Sequence, residues 1–305
     1  MSRERIAFLG LGNMGGPMCA NLVKAGFPVA AYDLSPVACE AAANDGATVA
    51  SSATGAAAGA DVVLTMLPGG ESVIAVWTSV LSVLRPDAML IDCSTIDVES
   101  ARRSHALAAP LGIASLDAPV SGGVGGAKAA TLTFMAGGAR DAFARAEPIL
   151  LKMGRKAFHC GGAGAGQSAK ICNNMLLAIS MIGVCEALTL GEKLGLDHQV
   201  MFDVMTASSG RCWSLDSYCP VPGPVPASPA NTGYRPGFAT SLMLKDVRLS
   251  QAAAAAAGVA TPLGEAAARL YAEYAGAGGA GSDFSGIITL LRGLKRSGDA
   301  EPSSR

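Results

Sequence analysis

Residues 6–18 have the sequence Ile-Ala-Phe-Leu-Gly-Leu-Gly-Asn-Met-Gly-Gly-Pro-Met. The apolar run at residues 6–9 predicts a buried strand that ends in a turn at Gly10. Apolar residues at helical spacing follow and predict a helix directly after the turn. Gly10, Gly12 and Gly15 therefore form the pattern G-x-G-x-x-G between a strand and a helix, the context that distinguishes a phosphate-binding loop from a chance run of glycines.

Each glycine of this loop has a physical role in binding a dinucleotide. Gly10 permits the tight turn, Gly12 lets backbone amides approach a pyrophosphate, and Gly15 lets the helix pack closely on the sheet. The N-terminus of the helix supplies aligned N–H groups for the anion. The predicted cofactor-binding loop comprises Gly10, Leu11, Gly12, Asn13, Met14 and Gly15.

Asp33 follows a second predicted strand, residues 29–32, and lies about 20 residues beyond the glycine loop. A carboxylate at this position accepts hydrogen bonds from both hydroxyls of the adenosine ribose and repels a 2′-phosphate. Leu34 and Ser35 provide no arginine to neutralise such a phosphate. The sequence therefore predicts NAD as the cofactor.

The first half of the chain repeats this alternation of strand and helix, with further strands predicted at residues 62–66, 89–92 and 131–136. The pattern predicts an α/β Rossmann-type domain, in which helices cover both faces of a parallel sheet. Leu67-Pro68 and Ser94-Thr95 follow the third and fourth strands, where loops border a ligand crevice. By position alone, they are equally well explained as ordinary loop residues.

Beyond Gly166 the strand-like runs stop and helical patterns take over, which predicts an all-α second domain. Residues 167–194 predict one helix of roughly 28 residues. Six prolines within residues 219–237 exclude a helix there and predict a long loop. The predicted organisation is a dinucleotide-binding domain at residues 1–163, a helical substrate and oligomerisation domain at residues 164–296, and a flexible tail at residues 297–305.

Composition and charge exclude several classes of protein. Hydrophobic residues make up 50% of the 305 residues and charged residues 15%, which argues against a disordered chain or a coiled coil. A formal net charge of −1 leaves no basic field for nucleic acid. The most apolar stretch, residues 171–190, contains Asn173, Asn174 and Glu186, so we expect no membrane span. A small molecule is the expected partner.

The cysteine and histidine patterns argue against metal chemistry. The eight cysteines form no C-x-x-C pair, which predicts free thiols in a reducing compartment. Since the N-terminus also lacks the pattern of a signal peptide, we expect a cytoplasmic protein. His105, His159 and His198 have no acidic partner at a useful spacing, so the sequence supports neither a histidine-based dehydrogenase nor a metal site.

Lys170 and Asn174 lie four residues apart, on one face of the long predicted helix. The surrounding residues are apolar, so we expect the lysine to be partly desolvated. Desolvation lowers the pKa of a lysine and makes its amine a feasible proton acceptor near neutral pH. The alternative is a surface lysine on a structural helix.

Two further segments contain groups that bind carboxylates. In residues 117–126, Ser121 offers a hydroxyl, and successive glycines after it can turn backbone N–H groups toward one anion. The alternative is a flexible glycine linker. Lys245, followed by Asp246, offers a second cation for a carboxylate or the cofactor, although the two residues could equally be a solvated pair.

Four segments together resemble the signature regions of the β-hydroxyacid dehydrogenase family, and the resemblance extends over roughly residues 5–293. The segments are residues 10–18, 117–126 and 164–174, and Lys245-Asp246. Within the family, residues 169–183, residues 208–214 and the proline-rich loop are similar to the branch that acts on 3-hydroxyisobutyrate. One departure is the run Gly69-Gly70-Glu71-Ser72, where family members often have an asparagine, so that contact is left unassigned.

The resemblance implies a role for each candidate residue and an oligomeric assembly. Lys170 would be the general acid/base, and Asn174 would hold the substrate and orient that lysine. Lys245 would lie near the nicotinamide and the substrate. The substrate carboxylate would be bound by Ser121, Gly122 and Gly123, and the NAD crevice would be lined by Leu67, Pro68 and Thr95. The helical domain would pack against another subunit, giving a homodimer or homotetramer.

The activity implied is the NAD-dependent oxidation of 3-hydroxyisobutyrate to methylmalonate semialdehyde, a step of valine breakdown, with a lysine as general acid/base. Two alternatives stay open. The first is a related reductase that acts on tartronate or succinate semialdehyde with the same residues. The second is a non-catalytic dinucleotide-binding protein.

Overall fold

The structure is a computed structural model that describes residues 4–294. It divides into two compact units, residues 1–172 and residues 173–305. The division falls inside a long helix, whereas the sequence places the domain boundary just ahead of that helix, at residue 163. The predicted tail, residues 297–305, lies outside the described residues.

The strands of the described residues all belong to the first unit. They are β1 (Ile6–Leu9), β2 (Val29–Tyr32), β3 (Thr48–Val49), β4 (Val62–Thr65), β5 (Met89–Asp92), β6 (Ala114–Asp117), β7 (Val120–Ser121), β8 (Leu132–Gly138) and β9 (Gly154–Gly161). They form one sheet in the order β3-β2-β1-β4-β5-β6-β8-β7, with β9 paired to β8. The five strand predictions are confirmed to within two residues at each end.

The described helices lie in both units. They are α1 (Gly15–Lys24), α2 (Pro36–Asn44), α3 (Ala53–Ala57), α4 (Gly70–Leu81), α5 (Val98–Ala108), α6 (Gly123–Lys128), α7 (Arg140–Leu150), α8 (Ala165–Lys193), α9 (His198–Ala207), α10 (Trp213–Asp216), α11 (Thr240–Ala257), α12 (Pro262–Gly276) and α13 (Ile287–Gly293). The long helix predicted at residues 167–194 is confirmed as α8. The predicted α/β domain followed by an all-α domain is confirmed as well.

Two successive residues of β1 show that helices pack on both faces of the sheet. Phe8 packs into one hydrophobic cluster together with Met18 of α1. Leu9, the next residue, packs into a separate cluster with Trp77 of α4. Because successive side chains of a strand point to opposite faces, helices cover both faces of the sheet, as the sequence predicts.

The sheet is parallel from β3 to β6, but β8 runs antiparallel to β6 and β7. Between β7 and β8 the chain contains only the short helix α6, which folds it back as a hairpin. A parallel return requires a longer crossover connection. The expectation of a parallel sheet therefore holds for its larger part and is wrong for this edge.

The second unit is built around α8, whose buried side chains pack with those of α11 and α12 in one cluster. Residues between α10 and α11 form the predicted proline-rich loop, in which the only regular element is the 3₁₀ turn Pro229–Thr232. Asp283 anchors this loop, since its carboxylate accepts hydrogen bonds from the backbone N–H groups of Gly237 and Phe238.

Helix α8 is, among the described helices, the one that is long and apolar enough to cross a membrane by length and composition. The core helix of a soluble protein passes the same test, and α8 contributes Ala178, Met181, Cys185 and Leu188 to the core of the second unit. It also carries the buried polar residues Lys170 and Asn174. That the chain has no membrane span stays a prediction.

Candidate active site

The glycine loop joins β1 to α1, and its three glycines have different surroundings. Gly10 has a φ of +95°, and a Cβ there would lie 2.3 Å from the carbonyl oxygen of Met66. A Cβ at Gly15 would lie 1.9 Å from the carbonyl oxygen of Gly10. At Gly12, nothing lies within 4 Å of the Cβ position. Packing requires the first and third glycines, whereas the second leaves the open approach to the backbone that a pyrophosphate needs.

Helix α1 begins directly at this loop. Its N-cap residue, Met14, makes no side-chain capping hydrogen bond. Asn13 is exposed beside it, while Leu11 is buried below the loop. No side chain caps the first turn, although the N–H of Gly16 donates to the carbonyl of Gly12, and an uncapped helix N-terminus fits an anion bound there.

Asp33 lies directly after β2, and its carboxylate reaches the glycine loop. Oδ2 accepts a hydrogen bond from the backbone N–H of Leu11 at 2.6 Å, and Oδ1 accepts one from the N–H of Ser35 at 2.8 Å. The side chain of Leu34 is 89% exposed. The structure thus brings the predicted acid to the predicted loop, as binding of an adenosine ribose beside a pyrophosphate requires.

The loops after β1 and β4 meet where the strand order reverses. The chain proceeds from β1 outward to β3 on one side and from β4 outward to β6 on the other. Ligands of open α/β sheets bind at such a reversal, outside the carboxyl ends of the strands. Leu67 and Pro68 follow β4, and the half-buried Thr95 follows β5. These residues therefore lie at the same end of the sheet as the glycine loop.

A buried carboxylate, Asp92, ends β5 and is not among the site residues predicted from the sequence. Its Oδ1 accepts hydrogen bonds from the hydroxyls of Thr65 at 2.7 Å and Ser94 at 2.6 Å. Burial raises the pKa of Asp92 to about 6, although these hydrogen bonds lower it and nearby Asp117 raises it slightly. The sequence feature that could have indicated this buried acid is its position at the end of an otherwise apolar predicted strand, residues 89–92.

The start of α8 is fixed by two buried groups. Asp117 accepts hydrogen bonds from the backbone N–H groups of Gly164 at 2.8 Å and Gln167 at 2.9 Å. The side chain of Gln167 donates to the carbonyl of Ser94 and accepts from the N–H of Ile96. These contacts fix the first turn of the helix that bears Lys170.

Lys170 lies one turn further along α8, and its exposed fraction is only 7%. The partial desolvation predicted from the sequence is confirmed. An amine held in such surroundings is suited to exchange a proton with a substrate hydroxyl.

Ser121, Gly122 and Gly123 lie at the end of β7 and the start of α6. Gly122 and Gly123 have φ values of +135° and +61°, which glycine adopts more readily than other residues. This backbone is not a featureless linker, because it is a defined turn beside a half-buried hydroxyl. Strand β7 continues the line of β6 along the same side of β8, since Asp117 pairs with Gly137 and Val120 with Phe134.

The second unit holds the other predicted polar residues. Asn174 is buried, and its Nδ2 donates to Oδ2 of Asp246 at 2.6 Å. Asn173 donates to Oδ1 of Asn174 at 3.0 Å. Lys245 Nζ lies 3.9 Å from Asp246 Oδ1. Lys245-Asp246 is therefore not a pair in open solvent, because the carboxylate of Asp246 is buried and binds Asn174.

The expectation that the histidines lack acidic partners is wrong for two of the three. His105 Nε2 lies 2.9 Å from Asp117 Oδ1, and His198 pairs with Glu192. The sheet brings Asp117 to His105 from the next strand, which spacing alone does not reveal. Among the described residues, no group of three or more histidine, cysteine, aspartate or glutamate side chains is placed to hold a metal ion.

Two family models match consecutive parts of the chain. Residues 5–162 match the NAD binding domain of 6-phosphogluconate dehydrogenase, and residues 164–291 match a domain described as NAD-binding of NADP-dependent 3-hydroxyisobutyrate dehydrogenase. The "probable 3-hydroxyisobutyrate dehydrogenase" of Mycobacterium tuberculosis is 55% identical over 94% of this chain and 97% of its own. The chain belongs to the 3-hydroxyisobutyrate dehydrogenase family.

Further members of the 3-hydroxyisobutyrate dehydrogenase family match over similar lengths. The enzyme of Pseudomonas aeruginosa is 51% identical over 94% of this chain and 98% of its own. The solved structure of the Mycobacterium tuberculosis enzyme with L-serine has a TM-score of 0.92 and 54% identity, and it covers 95% of this chain and 99% of its own. This chain is thus an oxidoreductase with a nicotinamide dinucleotide cofactor.

Proposed function

We propose that this chain catalyses the reversible oxidation of 3-hydroxyisobutyrate to methylmalonate semialdehyde with NAD, a step of valine catabolism. The observation that carries the proposal is the 55% identity to a 3-hydroxyisobutyrate dehydrogenase over nearly the whole of both chains. The glycine loop, the acid after β2 and the buried lysine on α8 are the groups that this reaction needs.

Lys170 is the proposed general acid/base. In the oxidation, its neutral amine takes the proton of the substrate hydroxyl while the carbon that bears the hydroxyl loses a hydride. When bound, the nicotinamide supplies the acceptor for that hydride. In the reverse direction the ammonium group of Lys170 returns the proton to the aldehyde oxygen.

The remaining candidate residues would hold the substrate and the cofactor. Ser121, Gly122 and Gly123 would bind the substrate carboxylate, for which a hydroxyl and a turn with two positive φ values are suited. Asn174 would orient the substrate and Lys170, and Lys245 would approach the nicotinamide and the substrate. The cofactor would be bound by the glycine loop (Gly10, Leu11, Gly12, Asn13, Met14 and Gly15) together with Asp33, Leu67, Pro68, Thr95 and Lys245.

Asp33 supports a preference for NAD over NADP. Its carboxylate is held beside the glycine loop by the N–H of Leu11. A 2′-phosphate at this position would meet the negative charge of Asp33, and the residue next in sequence is the exposed Leu34 rather than an arginine.

L-Serine is a second candidate substrate, because the Mycobacterium tuberculosis relative is solved with it. L-Serine and 3-hydroxyisobutyrate share a 3-hydroxy carboxylate frame and differ at carbon 2, where one carries an ammonium and the other a methyl group. The same acid/base and carboxylate site would serve both. The surroundings of carbon 2 would decide between them.

A steady-state panel tests the proposal. The purified protein is assayed with 3-hydroxyisobutyrate, L-serine, glycerate and 4-hydroxybutyrate, each with NAD and with NADP. The highest kcat/KM is expected for 3-hydroxyisobutyrate with NAD. A higher value for glycerate or 4-hydroxybutyrate would favour the tartronate or succinate semialdehyde reductases, and no reduced cofactor with any hydroxyacid would favour a non-catalytic dinucleotide-binding protein.

We further propose a cytoplasmic homodimer or homotetramer that binds neither membrane nor nucleic acid. The eight free cysteines support a reducing compartment. Exposed apolar side chains in the second unit, among them Leu190, Leu194, Val200 and Val204, support burial against a second copy. We also propose that the domains are residues 1–163 and 164–296. Light scattering coupled to size exclusion would measure the number of subunits.

A further inference from the structure

Asp92 and Ser94 form a buried pair at the carboxyl end of β5. Asp92 is 1% exposed and Ser94 is fully buried. One oxygen of Asp92, Oδ1, accepts three hydrogen bonds, from the hydroxyl of Thr65, the hydroxyl of Ser94 and the backbone N–H of Ser94. The carboxylate therefore determines where the single hydroxyl proton of Ser94 points.

The hydroxyl of Ser94 in turn holds the loop that follows β4. Its oxygen accepts a hydrogen bond of 2.7 Å from the backbone N–H of Leu67. Because the proton of Ser94 is directed to Asp92, a lone pair is available for Leu67. Pro68, the next residue, has no N–H of its own, so Leu67 provides the backbone donor of this dipeptide.

The Leu67-Pro68 turn is also packed against the glycine loop. A Cβ placed on Gly10 would lie 2.3 Å from the carbonyl oxygen of Met66 and 2.9 Å from Cδ2 of Leu67. A displacement of this turn would therefore move the backbone and side-chain atoms that pack against Gly10. A continuous set of contacts runs from Asp92 through Ser94 and Leu67 to the first glycine of the loop.

The other oxygen of Asp92 argues against a purely structural role. Oδ2 is buried and has no hydrogen-bond partner within the described residues. An unpaired buried carboxylate oxygen costs stability, since nothing replaces the water it loses on folding. The strong acceptor at Oδ1 offers a reason for a carboxylate at this position, because hydrogen bonds to an ionised group are stronger than those to a neutral one.

We propose that Asp92 is a positioning residue that orients the hydroxyl of Ser94, and that Ser94 thereby holds the Leu67-Pro68 turn in the geometry that binds the dinucleotide. The inference rests on the cofactor assignment in the proposed function. Asp92 itself acts only through Ser94 and the turn.

The test compares Ser94→Ala, Asp92→Asn and the wild type, with Ser104→Ala as the matched control. Ser104 is also buried in the first unit, but its hydroxyl donates to Ser100 within α5. Two quantities are measured, namely hydrogen exchange of the Leu67 amide in the protein without cofactor and the Kd for NADH by fluorescence. Melting temperatures establish that each variant folds.

For Ser94→Ala we expect Leu67 exchange and the Kd for NADH each to rise about 10-fold, the effect of losing one hydrogen bond of about 1.4 kcal/mol. Asp92→Asn keeps a weaker acceptor, so we expect a rise of about 3-fold in both. Ser104→Ala is expected to change neither by more than about 2-fold. In steady-state assays, KM for NAD should rise more than kcat falls.

The proposal is overturned if Ser94→Ala leaves Leu67 exchange at the wild-type rate, or if Ser104→Ala raises the Kd as much as Ser94→Ala does. It is also overturned if Leu67 exchange rises while the Kd for NADH is unchanged. A wild type that binds no NADH would instead remove the cofactor assignment itself. In that case, exchange at Leu67 in the unliganded variants still decides whether the pair holds the turn.

Discussion

Asn174 donates a hydrogen bond of 2.6 Å from Nδ2 to Oδ2 of Asp246, and both side chains are buried. The two residues are 72 positions apart in the sequence. Since Asn173 donates to the amide oxygen of Asn174, the orientation of the Asn174 side chain is set from both ends. Asp246 thus positions the asparagine proposed to orient the substrate.

Replacing Asp246 by alanine should remove this orientation. Nδ2 of Asn174 would lose a charged acceptor worth about 1.5 to 3 kcal/mol, so we expect kcat/KM for 3-hydroxyisobutyrate to fall about 10- to 100-fold. Asp246→Asn, which keeps an oxygen acceptor, should recover part of the loss. Asp203→Ala, a change at an exposed acid of the same unit, serves as the control and should leave kcat/KM unchanged.

Lys170→Ala should abolish proton exchange at the substrate hydroxyl without disturbing the glycine loop. We expect the rate of oxidation to fall about 10²- to 10⁴-fold, the range typical of a lost general base. The Kd for NADH should stay within a factor of two or so of the wild type. Turnover that survives the substitution would remove the lysine from the mechanism.

The double change Asp33→Ser with Leu34→Arg should shift the cofactor preference toward NADP. It removes the charge that repels a 2′-phosphate and adds a side chain that can pair with it. We expect the ratio of kcat/KM for NAD to that for NADP to fall about 10-fold or more. Leu34→Arg alone is the control, and an equal shift in that variant would show that the carboxylate of Asp33 does not discriminate.

The cofactor end of the fold is predictable from sequence because its signals are local. Gly10, Gly12 and Gly15 lie within one turn, and Asp33 follows the next strand, so spacing alone indicates their chemistry. Strand β9 is not predictable in this way. Its residues Arg155 and Lys156 are both exposed at the edge of the sheet and interrupt the alternation of apolar and polar residues that marks a strand. Strand β7 has only two residues, too few for a period to be seen.

The hydrogen bonds of Asp117 at the start of α8 are not predictable from the sequence, for a different reason. Asp117 appears in the sequence as the start of a glycine-rich loop, but it ends β6 and binds backbone groups 47 and 50 residues away. Only the sheet and the entry of α8 bring these partners together. The burial of Lys170, by contrast, follows from the apolar residues around it on the same helix, so the sequence predicts it.

Asp117→Asn should destabilise the entry of α8. The carboxylate accepts from Gly164 N, Gln167 N and the ring of His105, so an amide nitrogen would face a donor whichever way it turns. We expect the free energy of unfolding to fall by about 2 kcal/mol in urea titrations. Asp141→Asn, an exposed acid in the first turn of α7, should cost less than about 0.5 kcal/mol.

Asp92 should make stability depend on pH in an identifiable way. Burial raises its pKa from 3.8 to about 6, so the folded protein holds this proton more tightly than the unfolded chain does. The resulting stabilisation is complete below about pH 4 and is lost as pH rises through about 6. Asp92→Asn has no proton to lose, so the difference in unfolding free energy, wild type minus variant, should fall by on the order of 3 kcal/mol across that interval. Urea titrations at pH 4, 5, 6 and 7 measure it, and a difference that stays constant would mean that Asp92 does not titrate there.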